Sequence, residues 1–220
     1  MDFKSSEQYG SEQYGPERAG APARGPRSED VLPATATTAV KVVIVGGFGV
    51  GKTTLVGSVS EIRPLTTEET MTQAGVGVDD TAGIDGKTST TVAMDFGRIS
   101  INDQLVLYLF GTPGQERFWF LWRGLFEGAL GAVVLVDTRR LEVSFDVIGR
   151  LEERGVPFVV AVNSFPDAPT YPVEELRTAL DLPYSVPILP CDARERGSAK
   201  DVLMTLMRYL QTLATTQEAS

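Results

Sequence analysis

The sequence predicts an α/β protein, a mostly parallel open sheet with one antiparallel hairpin strand and helices on both faces. Three observations carry that expectation. An apolar, β-branched run from Val40 to Val45 leads into a glycine-rich turn and then into a helical period of Leu55, Val56, Val59 and Ile62. Thr91-Val92-Ala93-Met94-Asp95-Phe96 alternates on to Ile99 and Ile101, Asn102-Asp103 makes a turn, and Leu105 to Phe110 is apolar, which reads as a β-hairpin. From there to the end, strand-length apolar runs alternate with helical periods.

The glycine-rich turn is Gly46-Gly47-Phe48-Gly49-Val50-Gly51-Lys52-Thr53. It fits G-x-x-x-x-G-K-[ST], with a strand before it and a helix after it, the context in which that pattern has physical meaning. Gly49 and Gly51 let the backbone curl so that successive N–H groups face inward, and the field of the following helix adds to theirs. Gly46, Phe48, Gly49, Val50, Gly51, Lys52, Thr53 and Thr54 are thus the expected phosphate cradle. Lys52 reaches for the terminal phosphates and the Thr53 hydroxyl is a ligand for Mg2+. The fold class expected is a P-loop NTPase.

The remaining elements follow in order. Residues 117 to 129 are expected to be helical, with Phe118, Leu121, Trp122, Leu125 and Ala129 on one face. Trp119, Phe120, Arg123 and Phe126 point elsewhere; Trp119, Phe120 and Arg123 are the candidates for a partner-binding patch. Ala132 to Val136 is a buried parallel strand ending at Asp137-Thr138, and a helix marked by Leu141, Phe145, Ile148 and Leu151 closes at Gly155. Pro157 to Val162 is a strand that delivers Asn163; a helix opens at Tyr171-Pro172-Val173 with Glu174 and Glu175 near its positive end. Val186 to Pro190 is the last strand, and a helix from about Ser198 carries Leu203, Leu206, Leu210 and Leu213.

Composition narrows the function classes. A chain of 220 residues with 42% hydrophobic content supports one substantial core plus a tail. The net charge of −9 argues against nucleic acid or an anionic membrane as the main partner. Cys191 is the sole cysteine and histidine is absent, so internal disulfides, histidine zinc sites and histidine bases are excluded. No apolar run approaches the about 18 residues of a membrane span. No myristoylation, prenylation or signal-peptide pattern is present, so a cytoplasmic protein without a direct membrane anchor is expected.

Three regions are expected. Residues 1–38 form a disordered tail in which Ser-Glu-Gln-Tyr-Gly repeats in tandem, with Tyr9 and Tyr14 its possible anchors; residues 39–215 form the nucleotide-binding domain; residues 216–220 are flexible. Within the domain, residues 61–90 read as a long acidic loop, of a length usual for functional or mobile segments.

Beyond the hairpin lies Gly111-Thr112-Pro113-Gly114-Gln115-Glu116-Arg117. A P-loop, a hairpin and then Thr-Pro-Gly-Gln at the second strand's exit resemble the Ras-like small GTPases over about residues 40 to 213. The form is most similar to the prokaryotic MglA-type branch and the conservon GTPases. The resemblance implies GTP and GDP as ligands and a GTPase with Lys52, Gly114 and Gln115 in catalysis, Gly114 sensing the γ-phosphate and Gln115 orienting water. It implies Thr91 as a second Mg2+ ligand, with Thr88, Ser89 and Thr90 as competing positions. For the base it implies Asn163 and Asp167, in Asn163-Ser164-Phe165-Pro166-Asp167, where Lys is replaced by Ser164 and Asp167 comes one residue late. Asp192, Ala193 and Arg194 match the loop whose Ala193 N–H meets guanine O6. Gly111 stands where relatives keep a metal-side Asp, which implies weaker Mg2+ retention, and residues 64–90 contain no Arg to act as an internal finger. Arg63, Lys87 and Arg117 are the cationic alternatives, so slow hydrolysis is expected. A roadblock/LC7-type regulator, and through it a sensor-kinase complex at the membrane, are the implied partners. A nucleotide-responsive scaffold with negligible turnover and a P-loop ATPase or kinase are the alternative readings.

Overall fold

The computed structural model describes residues 38–72, 89–114 and 122–218. The N-terminal repeat, Gln115, Arg117, Trp119, Phe120, Lys87 and Thr88 lie outside the described residues, as do the side chains of Thr91 and Arg123.

Twelve elements alternate through the described chain: β1 (Thr38–Val45), α1 (Lys52–Val59), β2 (Leu65–Thr72), β3 (Ser89–Ser100), β4 (Leu105–Gly111), α2 (Trp122–Phe126), β5 (Ala129–Val136), α3 (Val143–Glu153), β6 (Phe158–Asn163), α4 (Val173–Ala179), β7 (Ile188–Cys191) and α5 (Arg196–Glu218). The strands form one sheet in the order β2-β3-β4-β1-β5-β6-β7. Only β3 runs against the rest, since it is antiparallel to both β2 and β4 while β1 is parallel to β4 and β5. That is the α/β class the sequence predicts, and β1 at the centre explains the buried β-branched stretch Val42 to Val45: both faces are covered.

Alternation sends the two faces of β1 into two cores. Val42 and Ile44 pack with Leu55, Val56 and Val59 of α1 and with Val202, Leu203 and Leu206 of α5. Val43 and Val45 pack with Trp122 and Phe126 of α2 and with Val147, Ile148 and Leu151 of α3. Each fully buried Val or Leu contributes about 1.5–3 kcal/mol, so these two layers hold the strand ends rigidly where the connecting loops emerge.

Four expectations are corrected. Residues 65–72, read as part of an acidic loop, form β2, an eight-residue strand paired with β3. Its threonines favour extended backbone, and the sheet edge at β3 offers the partner that an isolated reading of the acids hides. The helix expected to 129 stops at Phe126: Gly128, at φ 71°, turns the chain, and Ala129 opens β5 opposite Lys41. Phe126, expected on another face, is buried edge-to-face against Trp122 at 5.5 Å. Helix α5 runs on to Glu218, past the expected boundary at 215. No helix among the described residues is long and apolar enough to cross a membrane.

Candidate functional site

The loop from Gly46 to Gly51 leaves the end of β1 and enters α1 directly at Lys52. Gly49 at φ 76° and Gly51 at φ 105° adopt backbone that a side chain strains. Gly51 is doubly required, because a Cβ there would stand 2.6 Å from Asn163 Nδ2. Helix α1 has no side-chain cap and no acid in its first turn, so its leading N–H groups are left for an anion.

Lys52 is buried, and its Nζ donates to the carbonyls of Gly46 at 2.8 Å and Gly47 at 2.7 Å. Burial pushes the ammonium down to about 8, partly offset by the Asp95 carboxylate. A cation held this way gains from a phosphate partner, which replaces lost hydration.

Thr53 Oγ1 donates to Asp95 Oδ2 at 2.6 Å. Asp95 lies in β3 directly opposite Gly111 of β4, and it is buried. A Cβ on Gly111 would stand 3.0 Å from both Cβ and Oδ2 of Asp95. The missing side chain at 111 is thus the space in which the Asp95 carboxylate reaches Thr53. Gly111 removes one carboxylate, and the neighbouring strand sets the Asp95 carboxylate on the Thr53 hydroxyl. With its proton committed to Asp95, the Thr53 hydroxyl has lone pairs left for a hard cation, the donor chemistry Mg2+ prefers. These residues fit the ion. Among the described residues no group of three or more acids or cysteines could hold a metal by itself.

Thr112, buried, is tied to β1 by its N–H to Ile44 O at 3.0 Å and its hydroxyl to the same carbonyl at 3.3 Å. Gly114 follows against the loop: a Cβ there would stand 2.7 Å from Lys52 Nζ and 2.8 Å from Phe48 N and Cα. Phe48 itself is 66% exposed, Val50 is buried and Thr54 is exposed.

Asn163, at the end of β6, is buried and acts as a tie: Nδ2 donates to Val50 O at 2.9 Å and Oδ1 accepts from the Ala193 N–H at 2.9 Å. The Ala193 N–H, expected to meet a base oxygen, is therefore engaged by Asn163 in this structure. Asp192 is gripped by Arg194, Nε to Oδ1 at 2.9 Å and Nη2 to Oδ2 at 2.7 Å, which draws the carboxyl down to about 2. Asp167 is exposed, with the Arg139 charge as its electrostatic neighbour. Asn163, Ser164, Phe165 and Asp192 share the wall of a cavity of about 610 Å³ beside β6 and β7; Asp167 and Ala193 do not line it. Asn163 is thus tied to Ala193 and Asp192 to Arg194, while Asp167 stands exposed.

The sequence reading missed Asp95 and the Asp137-Thr138-Arg139-Arg140 loop. Asp95 carried a signal, an acid facing a glycine in a paired strand, but the register was needed to see it. Asp137 is buried and accepts from Arg139 Nε at 2.9 Å and Nη2 at 2.7 Å, while the Arg139 guanidinium lies 3.9 Å over the Phe165 ring.

Solved structures share this architecture. The G domain of the T. maritima FeoB iron transporter matches with a TM-score of 0.54 at 17% identity, covering 78% of this chain and 99% of that one. The Arl6 small GTPase of Trypanosoma brucei, solved with a bound nucleotide analogue, matches with a TM-score of 0.55 at 18% identity, covering 80% and 99%. The fold is therefore the one that these two domains share. Within it, the chain belongs to the family described as conserved hypothetical ATP binding protein, whose model matches residues 44–213. It is 30% identical over 126 residues to the uncharacterized protein MJ1339 of Methanocaldococcus jannaschii, covering 56% of this chain and 69% of that protein. It is 31% identical over 113 residues to the Ras-related protein Rab-11C of Dictyostelium discoideum, covering 50% of this chain and 41% of that protein.

Proposed function

We propose that this chain is a GTP-binding molecular switch of the MglA-type or conservon kind that hydrolyses GTP slowly and signals through the segments around Thr91 and Gln115. The observation that carries the reading is the Thr53–Asp95 hydrogen bond at the mouth of the Gly46–Gly51 loop, beside Lys52 and Gly114. It supports a site for a nucleotide with its metal. Lys52 and the loop N–H groups would bind the phosphates. Thr53 would ligate Mg2+, with Asp95 orienting the hydroxyl and Thr91 as a second candidate ligand; the ion supplies charge neutralisation on the phosphates when bound. Gly114 would read the γ-phosphate through its N–H, and Gln115 would orient the attacking water. Loss of that phosphate would release both segments, which is the switch.

Hydrolysis is slow in this reading because residues 64–90 contain no Arg to act as an internal finger, which contributes about 10³ to 10⁵ in rate, and Arg63, Lys87 and Arg117 are the cationic alternatives. A roadblock/LC7-type partner, within a sensor-kinase complex that draws the cytoplasmic protein to the membrane periphery, would supply regulation.

A second reading, ATP in place of GTP, is favoured by Ser164 at the base lysine position, by the engagement of the Ala193 N–H with Asn163, and by the family's description. Mass spectrometry of the nucleotide carried by the purified protein separates the two. GTP or GDP is expected; ATP or ADP alone overturns the base assignment. Lys52→Ala should abolish nucleotide binding. Gln115→Leu should keep binding and slow single-turnover hydrolysis, and unchanged turnover would remove Gln115 from the mechanism. Turnover that stays negligible with the roadblock partner present would favour a nucleotide-responsive scaffold.

A further inference from the structure

The loop between β5 and α3, together with the first residue of α3, lies along the phosphate loop and touches it at successive residues. Val143 Cγ1 stands 2.7 Å from where a Cβ on Gly47 would be. Arg140 Nη2 donates to the Phe48 carbonyl at 2.9 Å and stands 3.7 Å from where a Cβ on Gly49 would be. The same nitrogen is 3.7 Å from Asp137 Oδ2, a carboxylate already taken by Arg139. That second distance is too long for a hydrogen bond, and only the Arg140 end of the pair is half open to water. The contact with the loop carbonyl is the one that matters: short, charge-assisted and made across 92 residues of sequence.

The Phe48 carbonyl and the Gly49 N–H are two ends of one planar trans peptide and point in opposite directions. A guanidinium fixed on the oxygen outside the loop therefore fixes where the N–H points. This peptide needs fixing, because a flip changes ψ of Phe48 and φ of Gly49, and glycine tolerates either sign of φ. A cation on the oxygen also polarises the amide and strengthens the N–H as a donor. We infer that Arg140 is a positioning residue for the anion cradle: from outside the loop it holds the Phe48–Gly49 peptide so that the Gly49 N–H faces a polyphosphate. The inference rests on the reading of Gly46–Thr53 as a phosphate site, and it adds a residue that the loop motif does not contain.

The test compares the full chain with Arg140→Gln, Arg140→Lys and Lys52→Ala, using fluorescent GDP release and the ³¹P resonance of the bound β-phosphate. Arg140→Gln should release GDP faster by about tenfold, the scale of one charge-assisted hydrogen bond, and should shift the β-phosphate resonance. Its nucleotide-free melting temperature should stay near wild type, because the side chain is half exposed. Arg140→Lys, which can still set a charged donor on the carbonyl, should recover most of the affinity and the resonance position. Wild-type release and resonance in Arg140→Gln, with binding lost in Lys52→Ala, overturn the Arg140 role alone. Faster release accompanied by an equal fall in nucleotide-free melting, unrescued by Lys, assigns Arg140 to general stability and also overturns it. Failure of the wild-type chain to bind any nucleotide, with Lys52→Ala no different, overturns the phosphate reading instead.

Discussion

Asp95 and Gly111 show how one absent side chain becomes a functional feature. Their Cα positions face each other across the β3–β4 ladder, and the carboxylate fills the volume a larger residue at 111 would take. Gly111→Ala should push the carboxylate off Thr53, and Asp95→Asn should weaken its acceptance of that hydrogen bond. Both are expected to lower nucleotide affinity by about tenfold in magnesium and to change it little in EDTA, as titration calorimetry in the two buffers would read. Equal affinities in both buffers would separate Asp95 from the metal. Cys191 carries a different expectation. Burial pushes its thiol up to about 11 from an ordinary 9.0, so the fold favours the neutral form. The stability this gives is complete below pH 9 and is lost as the pH rises through 11, where the native thiol finally ionises. A thiol reagent at pH 8 should therefore label the folded chain far more slowly than the urea-unfolded chain; comparable rates would show that the thiol is accessible.

At the scale of elements, the phosphate loop is held by neighbours from distant sequence. Asn163 closes β6 onto it through Val50 and onto the start of the β7–α5 connection through Ala193. Asn163→Ala strands two backbone groups beside a buried site, and chemical denaturation should register a loss of about 2–4 kcal/mol. A smaller loss, under about 0.5 kcal/mol, would mean water replaces the amide there. Gly51→Ala adds a Cβ that collides with that same amide at a φ of 105°, and is expected to cost about 1–3 kcal/mol from backbone strain together with nucleotide binding. β2 was not legible because it carries no alternating apolar pattern and its pairing partner lies across the stretch 73–88; its four threonines are a weak signal until β3 provides an edge. The span of α2 was misjudged for a related reason. The three-and-four spacing of its apolar residues runs on by coincidence into β5, whereas the left-handed turn at Gly128 sets the boundary.

For the whole molecule, the sheet is a rigid platform with β1 at its centre and both faces packed, and the loops at the C-terminal ends of β1, β5, β6 and β7 converge beside it. Such a platform can report a phosphate only through segments outside the two cores. Hydrogen exchange should therefore differ between the GDP-bound and GTP-analogue-bound protein in peptides covering Thr91 and Gln115, and should match in β1, β5, β6 and α5. Identical exchange everywhere would leave a nucleotide-binding domain that does not switch.

Local chemistry is what the sequence by itself determined here: a glycine-rich turn between a β-branched strand and an apolar helical period admits few structures, and the later alternation of strand and helix admits few sheets. Tertiary structure alone decided which distant groups complete that turn. Asp95 from β3, Asn163 from β6 and Arg140 from the β5–α3 loop meet it, and whether a carboxylate, an amide or a guanidinium reaches a given atom depends on register and close approach, which no single stretch of sequence encodes.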